Sequence, residues 1–558
     1  MRMLTVKGGT MVTATGRRRA DLLVSEGRVV EVAEGIDPPG EVIDAGGLLV
    51  LPGMVDTHVH LMDPGDTERE DFPAGTRAAA ARGATTIVEH THSHPVRSPA
   101  DLAAKVDYLQ DRSNVDFALA AHLWPEDVDS MPDTWAAGVA FFKMFTCTTH
   151  GVPGLDAADV NAALTTLAGF GGRALVHCED ESLTARAEEL LREQGRSDPA
   201  LLIQWRSREA ELVAVATVGV LATATGAVVT LAHVSNPAAA HLVDVMRRQG
   251  ADLVAEACPQ YFALDETEVV NHGAFRKFTP PARIRSEEER NAMWDSLRSG
   301  AYSHFSTDHA PSTRSQKEAG DIWTAPFGLP GLDTTFPFLI DAALTGRLGL
   351  EDVVRLTSAA PAARYGLAPR KGSLAAGSDA DFVLVDPQGS WEVRDQDVIS
   401  KAGWSPYAGR TFQGRIEATY LRGAPVAESG RPRDERTGTF IPGLGAPGSG
   451  GSPPPEMTVR RDDVQRGRTP NDGPIGATPH EQPCGGLGVA PQTSRPAPLV
   501  DLAEVGLEAG RLDGMNGGPL VDLGGVAGHA DRPDDRAVPA HEDAPRDGNH
   551  PAGRHGGE

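Results

Sequence analysis

Apolar and polar positions change rhythm twice along this chain. From residue 1 to about 50, short apolar stretches alternate with turns, as in MLTVKGG, ADLLVSEGRVVEVAEG and EVIDAGGLLVLPG. That is the texture of a small antiparallel β unit. From about 51 to 365, short apolar strands alternate with Ala- and Leu-rich helical stretches, among them 74–81, 157–167 and 206–223. Repeated strand-then-helix units predict a parallel sheet, and eight of them would close a barrel. The β texture returns over about 370–428, in GSLAAGSDADFVLVDP and GRIEATYLRGAPV. The expected architecture is α/β: a (β/α)8 TIM barrel flanked by a small β-sandwich built from both chain ends.

Four segments follow. Residues 1–50 and 369–440 supply the two parts of the β-sandwich, and 51–368 the barrel. After Phe440 there is no aromatic residue, and after Lys401 no lysine. A Gly- and Pro-rich stretch of this kind buries too little apolar area to offset its ordering entropy. Residues 441–558 are therefore expected to be a disordered tail.

Composition narrows the class. A net charge of -25 and a pI near 5.1 speak against a nucleic-acid or anionic-membrane partner. No apolar run approaches the roughly 20 residues of a membrane span. The opening MRMLTVKGGTMV lacks the pattern of a secretory signal. Four widely spaced cysteines suit a reduced compartment. A cytoplasmic enzyme fits these features.

Chemistry enters at the strand ends. His58 and His60 close the run LVLPGMVDTHVHL, and positions i and i+2 of a strand share a face. Two adjacent imidazoles make half of a transition-metal site, although a lone HxH run is more often incidental. Lys143 sits inside the apolar run GVAFFKMF, where an ammonium must deprotonate, find a counter-ion or be modified. His177 ends GRALVHCED, His233 ends AVVTLAHVSN, and Asp308 followed by His309 ends SHFSTDHAPS. Singly, each histidine reads as a core or cap residue. Jointly, six such residues at strand ends of a barrel pattern mark a site, because a barrel keeps its catalytic groups there.

These segments resemble the amidohydrolase superfamily and, within it, the cyclic amidohydrolases: allantoinase, hydantoinase (dihydropyrimidinase) and dihydroorotase. The likeness runs over roughly residues 1–428. It is carried by PGMVDTHVHL, DPGDTEREDFPAGTRAAAARGATTIVE, FFKMF, LVHCED, LAHVS, EACPQYF, FTPPARIRSEEER, STDHAPS and KGSLAAGSDADFVLVDP. The resemblance implies two divalent metal ions, zinc foremost, with manganese, cobalt or iron as alternatives. His58, His60 and Asp308 would hold one, and His177 and His233 the other. Lys143 would carry a carbamate bridging both. A hydroxide between the metals would attack the ring carbonyl, with Asp308 moving its proton to the leaving nitrogen. The expected function is ring opening of a small cyclic amide or ureide, by a homo-oligomer (dimer or tetramer).

The substrate is less legible. Met62 stands where dihydroorotases usually carry a carboxylate-gripping arginine, which lowers that alternative. His90, His92 and His94 alternate in EHTHSHP, so His90 and His92 are candidate substrate contacts, as is His150 in TCTTHGVPG. Arg283 is expected to position structure, with substrate contact the weaker reading, and Cys147 and Cys178 to be packing residues. A catalytically inactive scaffold of the same fold is the competing class, but such relatives lose metal ligands and here all six positions are filled.

Overall fold

Eight strands, all parallel to their neighbours, carry the barrel in this computed structural model, which describes residues 3–448. In chain order the first four are Met54–Val59, Ala84–Glu89, Asp116–Leu119 continued by Ala121–His122, and Phe142–Phe145. The fifth to eighth are Arg173–His177, Val228–Leu231, Leu253–Ala257 and Tyr302–Phe305. The ring closes beyond the eighth strand. There Val59 bridges His309 in parallel, and the His60 amide donates to the His309 carbonyl at 2.8 Å.

Helices alternate with the strands as the periodicity predicts. The three stretches read from sequence form Phe72–Ala81, Ala157–Phe170 and Arg208–Thr225. Each starts where a short polar side chain accepts a first-turn N–H: Asp71 from Ala74, Asp156 from Ala158 and Asp159, and Ser207 from Ala210. Such caps fix the helix starts and hence the loop lengths that carry the site. The barrel core is apolar, with Phe72, Ile87, Phe117, Met144, Val176, Val229 and Leu253 fully or almost fully buried.

Both chain ends meet in one hydrogen-bonded sheet of nine strands. The joint is Leu49–Pro52, antiparallel to the start of Phe382–Glu392. Leu4, Val6, Leu22, Val50, Phe382 and Leu384 share its apolar core, where Phe382 stacks on Tyr420 at 4.4 Å. The β-rich domain expected from the two ends is therefore present.

A buried ion cluster ties this sheet to the barrel. Lys371 Nζ lies 2.5 Å from Asp116, 2.6 Å from Asp381 and 3.0 Å from Asp379, all with almost no solvent exposure. Arg422 adds a second cation on Asp116. The three acids converge as metal ligands do, but the lysine already occupies their centre. Lys371→Met should leave Asp381 without its cation, with Arg422 still on Asp116 and Arg370 on Asp379, and cost about 3–5 kcal/mol, read as a lowered denaturant midpoint at unchanged slope. A loss within 0.5 kcal/mol would contradict the account.

The packed chain continues past the boundary drawn at Phe440. Phe440 bridges Phe117, Ile441 is 5% exposed, and the Ile441 amide donates to the Phe117 carbonyl at 2.7 Å. Two apolar residues in TFIPG thus outweigh the Gly/Pro texture that begins there. The rest of the expected tail, from residue 449, lies outside the described residues. Among the described residues, no helix is long and apolar enough to cross a membrane.

Candidate metal centre

Asp56, His58 and His60 alternate along the first barrel strand and its exit, so they share one face. Asp56 is anchored by Thr307, accepting its amide at 3.0 Å and its hydroxyl at 2.7 Å. His58 donates through Nδ1 to Glu256, and His60 through Nδ1 to the His90 carbonyl, each at 2.7 Å. Those partners fix the tautomer, leaving a bare Nε2 on each neutral ring. Both turn to Asp308, whose Oδ1 is 3.3 Å from His58 Nε2 and 3.7 Å from His60 Nε2. Burial pushes the His60 imidazole down to about 3, so it stays neutral and ready to ligate.

A second pair faces the first. His177 ends the fifth strand and donates through Nε2 to Glu179 at 2.9 Å, which leaves Nδ1 bare. That Nδ1 lies 3.0 Å from His233 Nε2, beyond the sixth strand. Lys143, in the fourth strand, places Nζ 3.2 Å from His58 Nε2. Burial lowers its amine to about 8, although Glu256 and Asp308 pull the other way. Glu256 supports both pairs, because it also accepts the His233 backbone N–H at 3.1 Å.

All six predicted ligands therefore converge at the barrel's C-terminal end. His58, His60, Lys143, His177 and His233 are each at most 3% exposed, and the Asp308 side chain 14%. Asp308 and His233 take positive φ values, +50° and +39°. Non-glycine residues hold such backbone angles only where surrounding structure imposes them. Imidazole lone pairs aimed together in a buried pocket repel one another unless a cation or a proton sits among them. Four imidazoles, a carboxylate and a lysine are a set of N and O donors that suits divalent transition metals.

Two family models match the chain: a dihydro-orotase-like model over residues 47–187 and the amidohydrolase family over 200–426. The allantoinase of Rubrobacter xylanophilus is 36% identical over 449 residues, covering 78% of this chain and 97% of that protein. The chain belongs to the amidohydrolase family. An allantoinase of Deinococcus radiodurans is 34% identical, with 78% of this chain and 97% of that one covered. Among solved structures, the L-hydantoinase (dihydropyrimidinase) of Arthrobacter aurescens aligns with a TM-score of 0.76 at 29% identity. It covers 79% of this chain and 100% of its own. This amidohydrolase is thus a hydrolase of cyclic amides, a metal-dependent class.

The expected substrate residues divide. His90, His92 and His150 do reach the site. The His92 ring centre is 4.3 Å from His60 and stacks on His150 at 4.6 Å, while His90 lies 4.7 Å from His58. Met62 is buried, and its sulfur accepts from the Thr91 hydroxyl at 3.7 Å. Arg283 is a correction to the substrate reading. Its guanidinium is spent on Glu179 at 3.2 Å, Ser235 Oγ at 2.8 Å and the Arg206 carbonyl at 2.5 Å. It is 1% exposed and supports the carboxylate that orients His177. Cys147 packs as expected, its thiol pushed up to about 12 by burial against the nearby Arg206.

Sequence reasoning missed Glu179, Glu256 and His122. Burial raises the Glu179 carboxyl, but Arg206, His177 and Arg283 more than reverse this and hold it at about 2. It stays charged to accept from His177. His122 ends the third strand and donates through Nε2 to the His90 carbonyl at 3.2 Å. The one available signal was positional: AAHLW puts a histidine after an apolar run, as for the ligands. Nothing local marks a glutamate as the partner of a histidine 198 residues away.

Proposed function

We propose that this amidohydrolase opens the five-membered ring of allantoin or a closely similar cyclic ureide. The observation that carries the reading is the convergence of His58, His60, Lys143, His177, His233 and Asp308 in a chain that matches relatives named allantoinase over 97% of their length and 78% of its own. The likeness to hydantoinase structures, at 29% identity for the Arthrobacter aurescens protein, supports the same fold with a related ring as the second reading. A buried Met62 beside Thr91 offers no cation for a substrate carboxylate, which weighs against a dihydroorotase. In this reading the nine-stranded sheet is the sandwich-like β domain of the fold. The enzyme is taken to be a cytoplasmic homo-oligomer, and three buried free thiols suit that reducing compartment.

His58, His60 and Asp308 would hold one cation, His177 and His233 the other. Lys143 is the side chain that carbon dioxide would convert to a bridging carbamate. Its lowered affinity for a proton keeps part of it as free amine, the form that reacts with carbon dioxide. Two such cations, when bound, would supply Lewis acidity, which lowers the pKa of water from about 15.7 toward about 7 and polarises a carbonyl. Asp308 has one oxygen toward His58 and His60 and the other 3.4 Å from Gln260 Nε2. Burial raises its carboxyl above the ordinary range. It is therefore suited to take a proton from the attacking water and return it to the leaving ring nitrogen. Glu256 and Glu179 keep the imidazoles aimed throughout.

The test is a side-by-side assay of metal-replete protein on allantoin, hydantoin, dihydrouracil and dihydroorotate. The expected result is the highest kcat/KM on allantoin and none measurable on dihydroorotate. Preference for dihydroorotate, or no ring opening of any of the four, would overturn the reading.

A further inference from the structure

His90 differs from every other described histidine of the barrel mouth. Both of its ring nitrogens are buried without a hydrogen-bond partner among the described residues. Among the histidines around it, His58 is satisfied by Glu256, His60 and His122 by the His90 carbonyl and His177 by Glu179, while His92 leaves one buried nitrogen, Nδ1, unmet. His309 is satisfied on both, accepting the Gly331 amide at Nδ1 and facing Glu70 through Nε2. A buried polar group left unmet costs about 1–3 kcal/mol, so an unpaired imidazole calls for a partner that protein atoms do not supply.

The position of the ring identifies that partner. His90 is 1% exposed, and its ring centre lies 4.7 Å from His58 and 4.4 Å from His60. One ligand atom from each of His58, His60 and His90 falls within 4.8 Å of the others, the spread of donors around a single ion. Its amide bonds the Val59 carbonyl at 3.0 Å, and its carbonyl orients His60. The backbone that fixes the proposed ligand His60 therefore fixes this ring beside it. Phe141 closes another side at 5.4 Å, so no carboxylate competes for the ring there.

We propose that His90 is a third imidazole ligand of the cation held by His58 and His60. The inference rests on the paired-metal reading above and goes beyond it. It makes the first site richer in nitrogen than the second, which favours cobalt, nickel or zinc over manganese there.

Cobalt(II)-loaded full-length protein provides the test. Paramagnetically shifted proton NMR counts exchangeable imidazole N–H signals, one for each coordinated histidine. Five are expected, from His58, His60, His90, His177 and His233, and four in His90→Gln. Competition with a chelator should show His90→Gln weakening one of its two cobalt ions by about 10-fold or more, as loss of ligand support typically does. Four signals in the unaltered protein, which needs no variant to fold, would overturn the assignment while leaving the paired-metal reading intact. Failure to bind cobalt at all would overturn both.

Discussion

Lys143→Ala is expected to abolish ring opening and strip tightly held metal together, with turnover falling about 10³-fold or more. The side chain lies between the two imidazole pairs, 3.2 Å from His58 Nε2 and 1% exposed. Truncation removes the buried amine proposed to bridge the pairs, and bridging ligands are what let two cations share a nucleophile. A purely structural role predicts a different outcome, namely loss of folding stability with no chemical remedy. The distinguishing readout is rescue. Added formate, acetate or propionate should enter the space vacated and restore measurable activity, because a small carboxylate supplies the two oxygens a carbamate would. A Lys143→Ala enzyme that keeps near-normal metal and turnover would refute the bridging role.

Asp308→Asn should behave differently, keeping most of its metal while losing about 10³-fold in kcat, the span attributed to general acid–base catalysis. Asparagine preserves volume and one oxygen, and it tolerates the positive φ of +50° at this position. The backbone should therefore remain undisturbed, which isolates the proton-carrying function. KM should change little, since Asp308 is placed to move a proton rather than grip the ring. A variant with substantial turnover, or one losing metal as completely as Lys143→Ala, would contradict the assigned role.

The proposed ligands were legible because five of them are polar residues at or just past the end of an apolar strand and Lys143 lies within one, and a parallel barrel brings all strand ends to one rim. His58 and His60 announced themselves by spacing, and Lys143 by the cost of its apolar setting. The supporting shell was not legible for a physical reason. Glu256 reaches His58 from the seventh strand, and Glu179 and Arg283 meet across about a hundred residues, so no local pattern records either contact. Arg283 was expected to position structure, with substrate contact as the weaker reading. Only the packing shows its guanidinium committed to Glu179, Ser235 and Arg206. The end of the packed chain was set too early, at Phe440, because composition averaged over a long Gly/Pro segment hides the buried Ile441 and Gly443.

Metal stoichiometry tests the central claim most directly. Full-length protein prepared in the presence of bicarbonate and zinc, then passed through a chelating column, should retain two divalent ions per chain by elemental analysis. Protein that retains none, while remaining folded, would contradict the account.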